Sequence, residues 1–261
     1  MQFDQILATV DGKGHGEFPE GWGQGRALFG GLVGAVMYDH LCKSVAPAHP
    51  LRSFSLSFVA PATPGPVSLE SRVLREGKSV MQAQVTASQQ GQVVAVMLLS
   101  LGAARDSAIR VAPEPAPSIK PADQCTPMPY IAGVIPEFIA HFDMRWASGG
   151  LPFSGMDRPD FSGYMGFREP PAVMSTAALI ALVDTWPPAV LPLLKKPAPA
   201  SSLTWTMELV DDPASRPADQ LWQYQVVTEH CAEGYGQSRA TVHDADGRLV
   251  ALSRQTVTVF A

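Results

Sequence analysis

A single carboxylate stands at the end of the most apolar helix that the sequence predicts. The segment Ser175 to Trp186 begins with good N-cap residues, continues in strong helix formers and is ended by Pro187-Pro188. Because residues 177–183 are apolar on all sides, this helix should be buried. Asp184 lies near its C-terminal end, where the negative pole of a helix disfavours an anion. Two interpretations stay open: Asp184 turns outward to water, or it is a functional acid.

Other kinds of catalytic or binding site have little support in the sequence. The Gly-rich stretch within residues 1–25 lacks the GxxxxGK[ST] pattern and a preceding strand, so it predicts a loop rather than a phosphate site. The histidines show no HExxH spacing, and no GxSxG nucleophile elbow occurs. Three cysteines, an odd number without a CxxC pair, indicate neither a disulfide framework nor a zinc site. We therefore expect no metal and no cofactor.

Composition limits the class of protein. The 261 residues allow one large domain or two smaller ones, and 46% hydrophobic residues with 16% charged residues favour a sizeable core. A net charge of −5 argues against a general nucleic-acid binder. The longest apolar runs have 7 residues, too few to span a bilayer. The N-terminus does not resemble a signal peptide, and with the cysteine usage this favours a cytoplasmic protein.

The first half of the chain predicts one helix followed by four strands. The helix covers 27–43, has Gly30-Gly31 near its start and contains Asp39. The next segment alternates Phe and Leu with Ser, which is typical of a strand with one buried face. A Pro-rich stretch follows the strands and predicts an extended linker. The predicted strands are 51–59, 67–75, 80–88 and 92–101, and the Pro-rich residues are 102–129.

The second half repeats this order. After the helix that ends near Asp184, strands are predicted at 201–210, 221–229, 235–243 and 249–260. Asp39 aligns with Asp184, since an apolar helix precedes each. The chain should therefore contain two copies of one α+β unit, in which an antiparallel sheet covers an apolar helix. We place the N-terminal unit at 1–110, the linker at 111–129 and the C-terminal unit at 130–261.

A buried central helix wrapped by an antiparallel sheet, present twice in one chain, resembles the double-hotdog acyl-CoA thioesterases of the thioesterase II (TesB-like) family. The resemblance covers nearly the whole chain and is most specific in the second half. There the family has an Asp at the end of the second central helix, a Ser or Thr at the start of the next strand and a Gln in the last strand. The matching residues are Asp184, Ser202 and Gln255.

The resemblance implies an acyl-CoA thioesterase that hydrolyses its substrate to a free acid and CoA with an Asp-activated water. Asp184, Ser202 and Gln255 would be the catalytic residues, the last two fixing the carboxylate and the water by hydrogen bonds. Gly30 and Gly31 match the glycine pair that opens the family's first helix, and their N–H groups could hold the oxyanion across the interface between the units. The resemblance also implies a role in fatty acid metabolism. The partner is the acyl-CoA, with no nucleic acid and no membrane, and open sheet edges favour a homo-oligomer.

The sequence departs from the family pattern at three places. Leu32 stands where a Gln often follows the glycine pair, and Thr204-Trp205-Thr206-Met207 replaces an aromatic stretch that carries a His. In the first half, Leu99 occupies the place that matches Gln255. The first unit should therefore lack a working site, and Asp39 should be structural.

The sequence is also compatible with two other functions. Hotdog hydratases and dehydratases that act on enoyl thioesters use a paired Asp and His, and Asp39-His40 is the only Asp directly followed by a His here. Neighbours in a helix point in different directions, which weakens this alternative. The other is an acyl-CoA-binding module without catalysis, and the intact Asp184, Ser202 and Gln255 set argues against it.

Overall fold

In the computed structural model, which describes residues 1–261, twelve strands form one antiparallel sheet that covers two central helices. The helices are α1 (Phe3–Thr9), α2 (Gly30–Val45) and α3 (Thr176–Val183). The strands of the first half are β1 (His15–Phe18), β2 (Gly23–Gln24), β3 (Ala27–Leu28), β4 (Leu51–Phe58), β5 (Gly65–Glu76), β6 (Val80–Gln89) and β7 (Gln92–Gly102). Those of the second half are β8 (Thr126–Pro127), β9 (Phe142–Ser148), β10 (Phe161–Phe167), β11 (Ala200–Leu209), β12 (Trp222–Ala232), β13 (Tyr235–His243) and β14 (Leu249–Val259).

The strand order shows the internal repeat directly. The sheet runs β1-β5-β6-β7-β4-β11-β14-β13-β12-β10-β9-β8, so the five strands on one side of the β4–β11 junction mirror the first five on the other, which β9 and β8 then extend. At this junction Leu56 lies opposite Trp205 in antiparallel register. The two units therefore share one continuous sheet, and the predicted repeat of helix, strand and hairpins is confirmed.

The central helices α2 and α3 pack against each other where α2 has glycines. A Cβ on Gly31 would lie 2.7 Å from the carbonyl oxygen of Ala181, and one on Gly34 would lie 3.2 Å from Ile180. Both helices are buried on nearly every side, as their apolar sequences predict. Small residues thus let the two backbones approach closely, and the start of α2 comes to lie beside the end of α3.

The predicted boundaries of α3 are correct to within a few residues. Ser175 is the N-cap and accepts a hydrogen bond from the backbone N–H of Ala178 at 3.1 Å, as expected for a Ser at this position. The helix ends at Val183, and Asp184 is its C-cap residue. None of the three helices is both long and apolar enough to cross a bilayer.

Two segments contain regular structure that the sequence does not predict. Within residues 1–25, expected to be a loop, the structure has helix α1, which buries Phe3 and Ile6, and strand β1. Before α3 it has β10, whose Gly163 has no room for a Cβ beside the Arg145 backbone and the Trp186 ring. Helix α1 is too short, at 7 residues, to give a clear periodic signal, and the glycines of β10 serve close packing rather than a turn.

The Pro-rich stretch and the ends of the sheet complete the architecture. Residues 103–121 form no helix or strand, whereas 122–124 form a short 3-10 helix and β8 pairs with β9. The edge strands of the sheet are β1 and β8, of 4 and 2 residues. Short edge strands, one of them containing Pro127, protect a sheet from pairing with further strands. The unit boundaries proposed from the sequence stay a prediction.

Candidate active site

Asp184 points into the protein rather than into water. Only 8% of its surface is exposed. The side-chain amide of Gln255, on β14, donates a hydrogen bond from Nε2 to Asp184 Oδ1 at 2.5 Å. Residues 184 and 255 are far apart in sequence, and the sheet brings them together because β14 runs next to β11 over the end of α3. The carboxylate is therefore buried and held in one orientation.

The start of α2 faces this carboxylate from the other unit. Gly30 lies so close that a Cβ there would be 2.8 Å from Asp184 Oδ2. The backbone N–H of Gly31 donates a hydrogen bond to the carboxylate. Phe29, the N-cap of α2, makes no side-chain capping bond, so the first N–H groups of the helix remain directed at this site. The negative end of α3 and the positive end of α2 thus meet at one side chain.

Burial changes the acidity of Asp184. The pKa of the carboxyl is raised from 3.8 to about 7, chiefly because burial removes the hydration of the ionised form. The hydrogen bonds from Gln255 and from the Gly31 N–H act in the opposite direction and lower the pKa. The resulting value near neutrality suits a group that accepts and returns a proton at physiological pH.

Ser202 lies on the same face of the sheet but does not contact the carboxylate. It is opposite Val257, two residues along β14 from Gln255, and the strand has a bulge between 202 and 204. Residues directly opposite each other in an antiparallel pair share a face, so Ser202 points to the same side as Gln255. Its hydroxyl makes no hydrogen bond to Asp184 or Gln255 in this structure. The structure therefore brings Asp184, Gln255, Gly30 and Gly31 together and leaves Ser202 at the margin.

Aromatic residues lie near the carboxylate in the chain and in space. Trp186, two residues after Asp184, stacks on Tyr224 with ring centroids 5.2 Å apart and an angle of 7°. Burial raises the pKa of Tyr224, and the Asp184 charge adds to this effect, so the phenol stays protonated. The ring of Phe58, at the end of β4, reaches the position of a Cβ on Gly30 within 2.9 Å. The carboxylate is thus buried beside apolar surface, which strengthens electrostatic interactions.

Neither Phe58 nor Tyr224 was identified by the sequence as part of a site. In the sequence Phe58 is one of the apolar residues of an alternating strand, and Tyr224 is one aromatic residue in another. The alternation shows that both face inward, but it does not show that they lie beside Asp184. Their position depends on contacts between the two units, for which a single sequence contains no local signal.

The Asp39-His40 pair is not arranged as a catalytic pair. The Asp39 carboxylate lies 2.8 Å from the Lys43 ammonium, one helical turn further along α2. The buried imidazole of His40 has its Nδ1 3.1 Å from the backbone oxygen of Asp11. The two side chains therefore serve separate contacts within the first unit. This geometry gives no support to a hydratase or dehydratase based on the pair.

Sequence models of two known protein domains match the chain. The acyl-CoA thioesterase N-terminal domain matches residues 18–102, and the acyl-CoA thioesterase C-terminal domain matches residues 122–259. Together they cover both units and all the site residues described above. No curated protein matches the chain significantly.

Solved structures with the same architecture cover almost the whole chain. A hotdog-fold protein from Alicyclobacillus acidocaldarius is 24% identical, with a TM-score of 0.89 over 99% of this chain and 98% of that one. A protein assigned as a thioesterase II from Thermobifida fusca is 25% identical, with a TM-score of 0.82 over 99% and 97%. The acyl-CoA thioesterase II TesB2 from Mycobacterium marinum is 19% identical, with a TM-score of 0.77 over 100% and 97%. The double-hotdog α+β fold is thereby confirmed.

Proposed function

The chain belongs to the acyl-CoA thioesterase family and is a thioester hydrolase, and from this premise we propose that Asp184 activates the water that cleaves the thioester. The observation that carries the proposal is the buried Asp184 carboxylate, held by Gln255 and facing the N-terminus of α2. A carboxylate with a pKa of about 7 is half ionised at neutral pH and can take a proton from water. The products are the free acid and CoA.

The proposed reaction has two steps. Asp184 takes a proton from a water molecule, whose oxygen forms a bond to the thioester carbonyl carbon. The negative charge that develops on the carbonyl oxygen is stabilised by the N–H of Gly30 and by the positive end of α2, since the N–H of Gly31 donates to Asp184. The tetrahedral intermediate then collapses, the carbon–sulfur bond breaks, and the CoA thiolate takes the proton back from Asp184.

The other two candidate residues have positioning roles in this proposal. Gln255 fixes one oxygen of Asp184 and leaves Oδ2, on the Gly30 side, to face the water. Ser202 lies on the same face of the sheet, and we propose that its hydroxyl holds the attacking water rather than the carboxylate, since no direct bond to Asp184 exists. Release of free thiol from a panel of acyl-CoA substrates tests the activity directly.

The rate should depend on pH through Asp184. We expect kcat/KM to rise about tenfold per pH unit below 7 and to level off above it, because only the ionised carboxylate is a base.

Replacing Gln255 with Leu removes a hydrogen bond that lowers the Asp184 pKa, so the rising limb of the pH–rate profile should move to higher pH. The maximum rate should also fall by about tenfold or more, since a bond to a charged group contributes about 1.5–3 kcal/mol. A pH–rate profile of the wild type and of Gln255→Leu measures both effects. A rising limb at the same pH in the two proteins would contradict the assignment of Asp184 as the base.

Gly30→Ala should impair the reaction without unfolding the protein. The new Cβ would meet Asp184 Oδ2 at 2.8 Å and the Phe58 ring at 2.9 Å, so the carboxylate must move. We expect kcat/KM to fall by about tenfold to a hundredfold, as displacements of about 1 Å can cost that much. The matched control is Gly34→Ala, one turn along α2, whose Cβ would meet Ile180 and Leu56 but not the carboxylate. Equal activity losses in the two variants would mean that Gly30 matters only for helix packing.

The wider setting of the activity follows from the sequence and stays a proposal. We propose that the protein is a cytoplasmic enzyme of fatty acid metabolism and that it forms a homo-oligomer. Open sheet edges favour an oligomer less strongly than the sequence implied, because the edge strands β1 and β8 are short. The mass of the protein in solution decides this point.

A further inference from the structure

Trp186, two residues after Asp184, belongs to a rigid aromatic wall, which we define as Trp146, Phe161, Trp186 and Tyr224. The Trp186 ring lies in its centre, with centroids 5.2 Å from Tyr224, 5.4 Å from Phe161 and 4.7 Å from Trp146. All four residues are buried. Because Trp186 has rings on several sides, moving it would disrupt packing throughout the cluster. The aromatic wall therefore gives no room for an acyl chain.

The Phe58 ring, which lies beside Gly30, is held much less firmly than the aromatic wall. Phe58 is the last residue of β4, is only partly buried and takes part in none of the ring–ring contacts of the chain. The next residue, Val59, is 57% exposed. The Phe58 ring lies against Gly30, whose Cα is also beside Asp184 Oδ2. It thus covers the position where a thioester carbonyl would meet both the carboxylate and the start of α2.

We propose that this site takes short acyl groups rather than long fatty chains, and that Phe58 is the residue that sets the limit. The inference rests on the proposed function, since it assumes that the thioester lies between Asp184 and the start of α2. An acyl group placed there would need the space beside Gly30 that the Phe58 ring now fills. A short group needs a small displacement of the Phe58 ring, whereas a long chain needs the space that the ring fills. Contacts of this kind discriminate between substrates that differ by a few methylene groups.

The test compares kcat/KM for acetyl-, butyryl-, hexanoyl-, decanoyl- and palmitoyl-CoA, measured by thiol release. The variants are Phe58→Ala and Phe58→Leu, the second being the milder change to packing. We expect the wild type to favour the short substrates, and Phe58→Ala to raise the ratio of decanoyl to butyryl turnover by about tenfold or more. Val59→Ala, the exposed neighbour, is the matched control and should leave the ratio unchanged.

The outcomes separate this inference from the proposal on which it rests. If the wild type hydrolyses palmitoyl-CoA as well as butyryl-CoA, or if neither Phe58 variant changes the ratio, the short-acyl assignment is wrong and the role of Asp184 is untouched. If Asp184→Asn retains wild-type hydrolysis while Phe58→Ala shifts the ratio, the mechanism is wrong and the assignment of Phe58 holds. A wild type that hydrolyses none of these substrates contradicts both.

Discussion

Asp184→Asn should lower kcat/KM for acyl-CoA hydrolysis by about 10²–10⁴-fold, the usual contribution of a positioned general base. Asn has nearly the same shape as Asp, so the packing of the end of α3 and the hydrogen bond from Gln255 to the side-chain oxygen can be retained. What is lost is the negative charge and the ability to accept a proton. Because the loss affects the transition state and not the binding surface, we expect kcat to fall and KM to change little.

Asp39→Asn is the matched control for this substitution. Asp39 is the residue of the first unit that aligns with Asp184, and its carboxylate pairs with Lys43 on the same helix. The substitution removes a carboxylate of the other unit and should change kcat/KM by less than about twofold, because an i,i+4 pair contributes only about 0.3–0.5 kcal/mol. Hydrolysis by Asp184→Asn at the wild-type rate would remove Asp184 from the mechanism. Equal losses in both variants would point to a general effect on the fold.

The chemistry of Asp184 depends on the meeting of two helices from different units. At the end of α3 alone, an anion is unfavourable, and burial adds to the cost. The start of α2 offsets part of this cost with its positive pole and with the Gly31 N–H. The balance leaves the carboxylate ionisable near neutral pH, basic enough to accept a proton and still able to release it. Either unit by itself contains only half of this arrangement.

The sequence predicted the parts of the fold whose signals are local. An apolar run between a Ser-Thr pair and two prolines predicted α3 with its end near Asp184, and strict alternation predicted β4. The similar order of elements in the two halves predicted the repeat that the mirrored sheet order confirms. The resemblance to a family singled out Asp184 and Gln255, and in the structure Gln255 Nε2 lies 2.5 Å from Asp184 Oδ1.

The parts that the sequence missed depend on contacts between distant segments. Helix α1 has only 7 residues, and β10 contains glycines that allow close approach to β9 rather than a turn. Phe58 has the same local pattern as Phe54, which packs on Trp205 in the core. Only the position of β4 beside the second unit gives Phe58 a place at the site. Periodicity shows which face a side chain occupies, but not what lies across that face.

Asp184→Asn should also make the protein more stable at alkaline pH, an effect opposite in sign to its effect on activity. The Asp184 pKa is about 7 in the folded protein and about 3.9 in an unfolded chain. Between these pH values the folded state binds more protons than the unfolded state, so the free energy of unfolding falls as pH rises. This contribution is fully present below about pH 3.9 and is lost as pH rises through about 7, with a slope of about 1.4 kcal/mol per pH unit between them.

An Asn at this position carries no charge at any pH, so the free energy of unfolding of the variant should not fall with rising pH in this way. We expect the free energy of unfolding of Asp184→Asn relative to wild type to be higher at pH 8 than at pH 5, by on the order of 2–3 kcal/mol. Denaturant unfolding of both proteins at the two pH values measures the difference, and other titrating groups cancel because they are common to both. A difference that is the same at pH 5 and pH 8 would mean that the Asp184 carboxyl ionises as it does in water. The burial that raises the Asp184 pKa toward neutrality would then be absent.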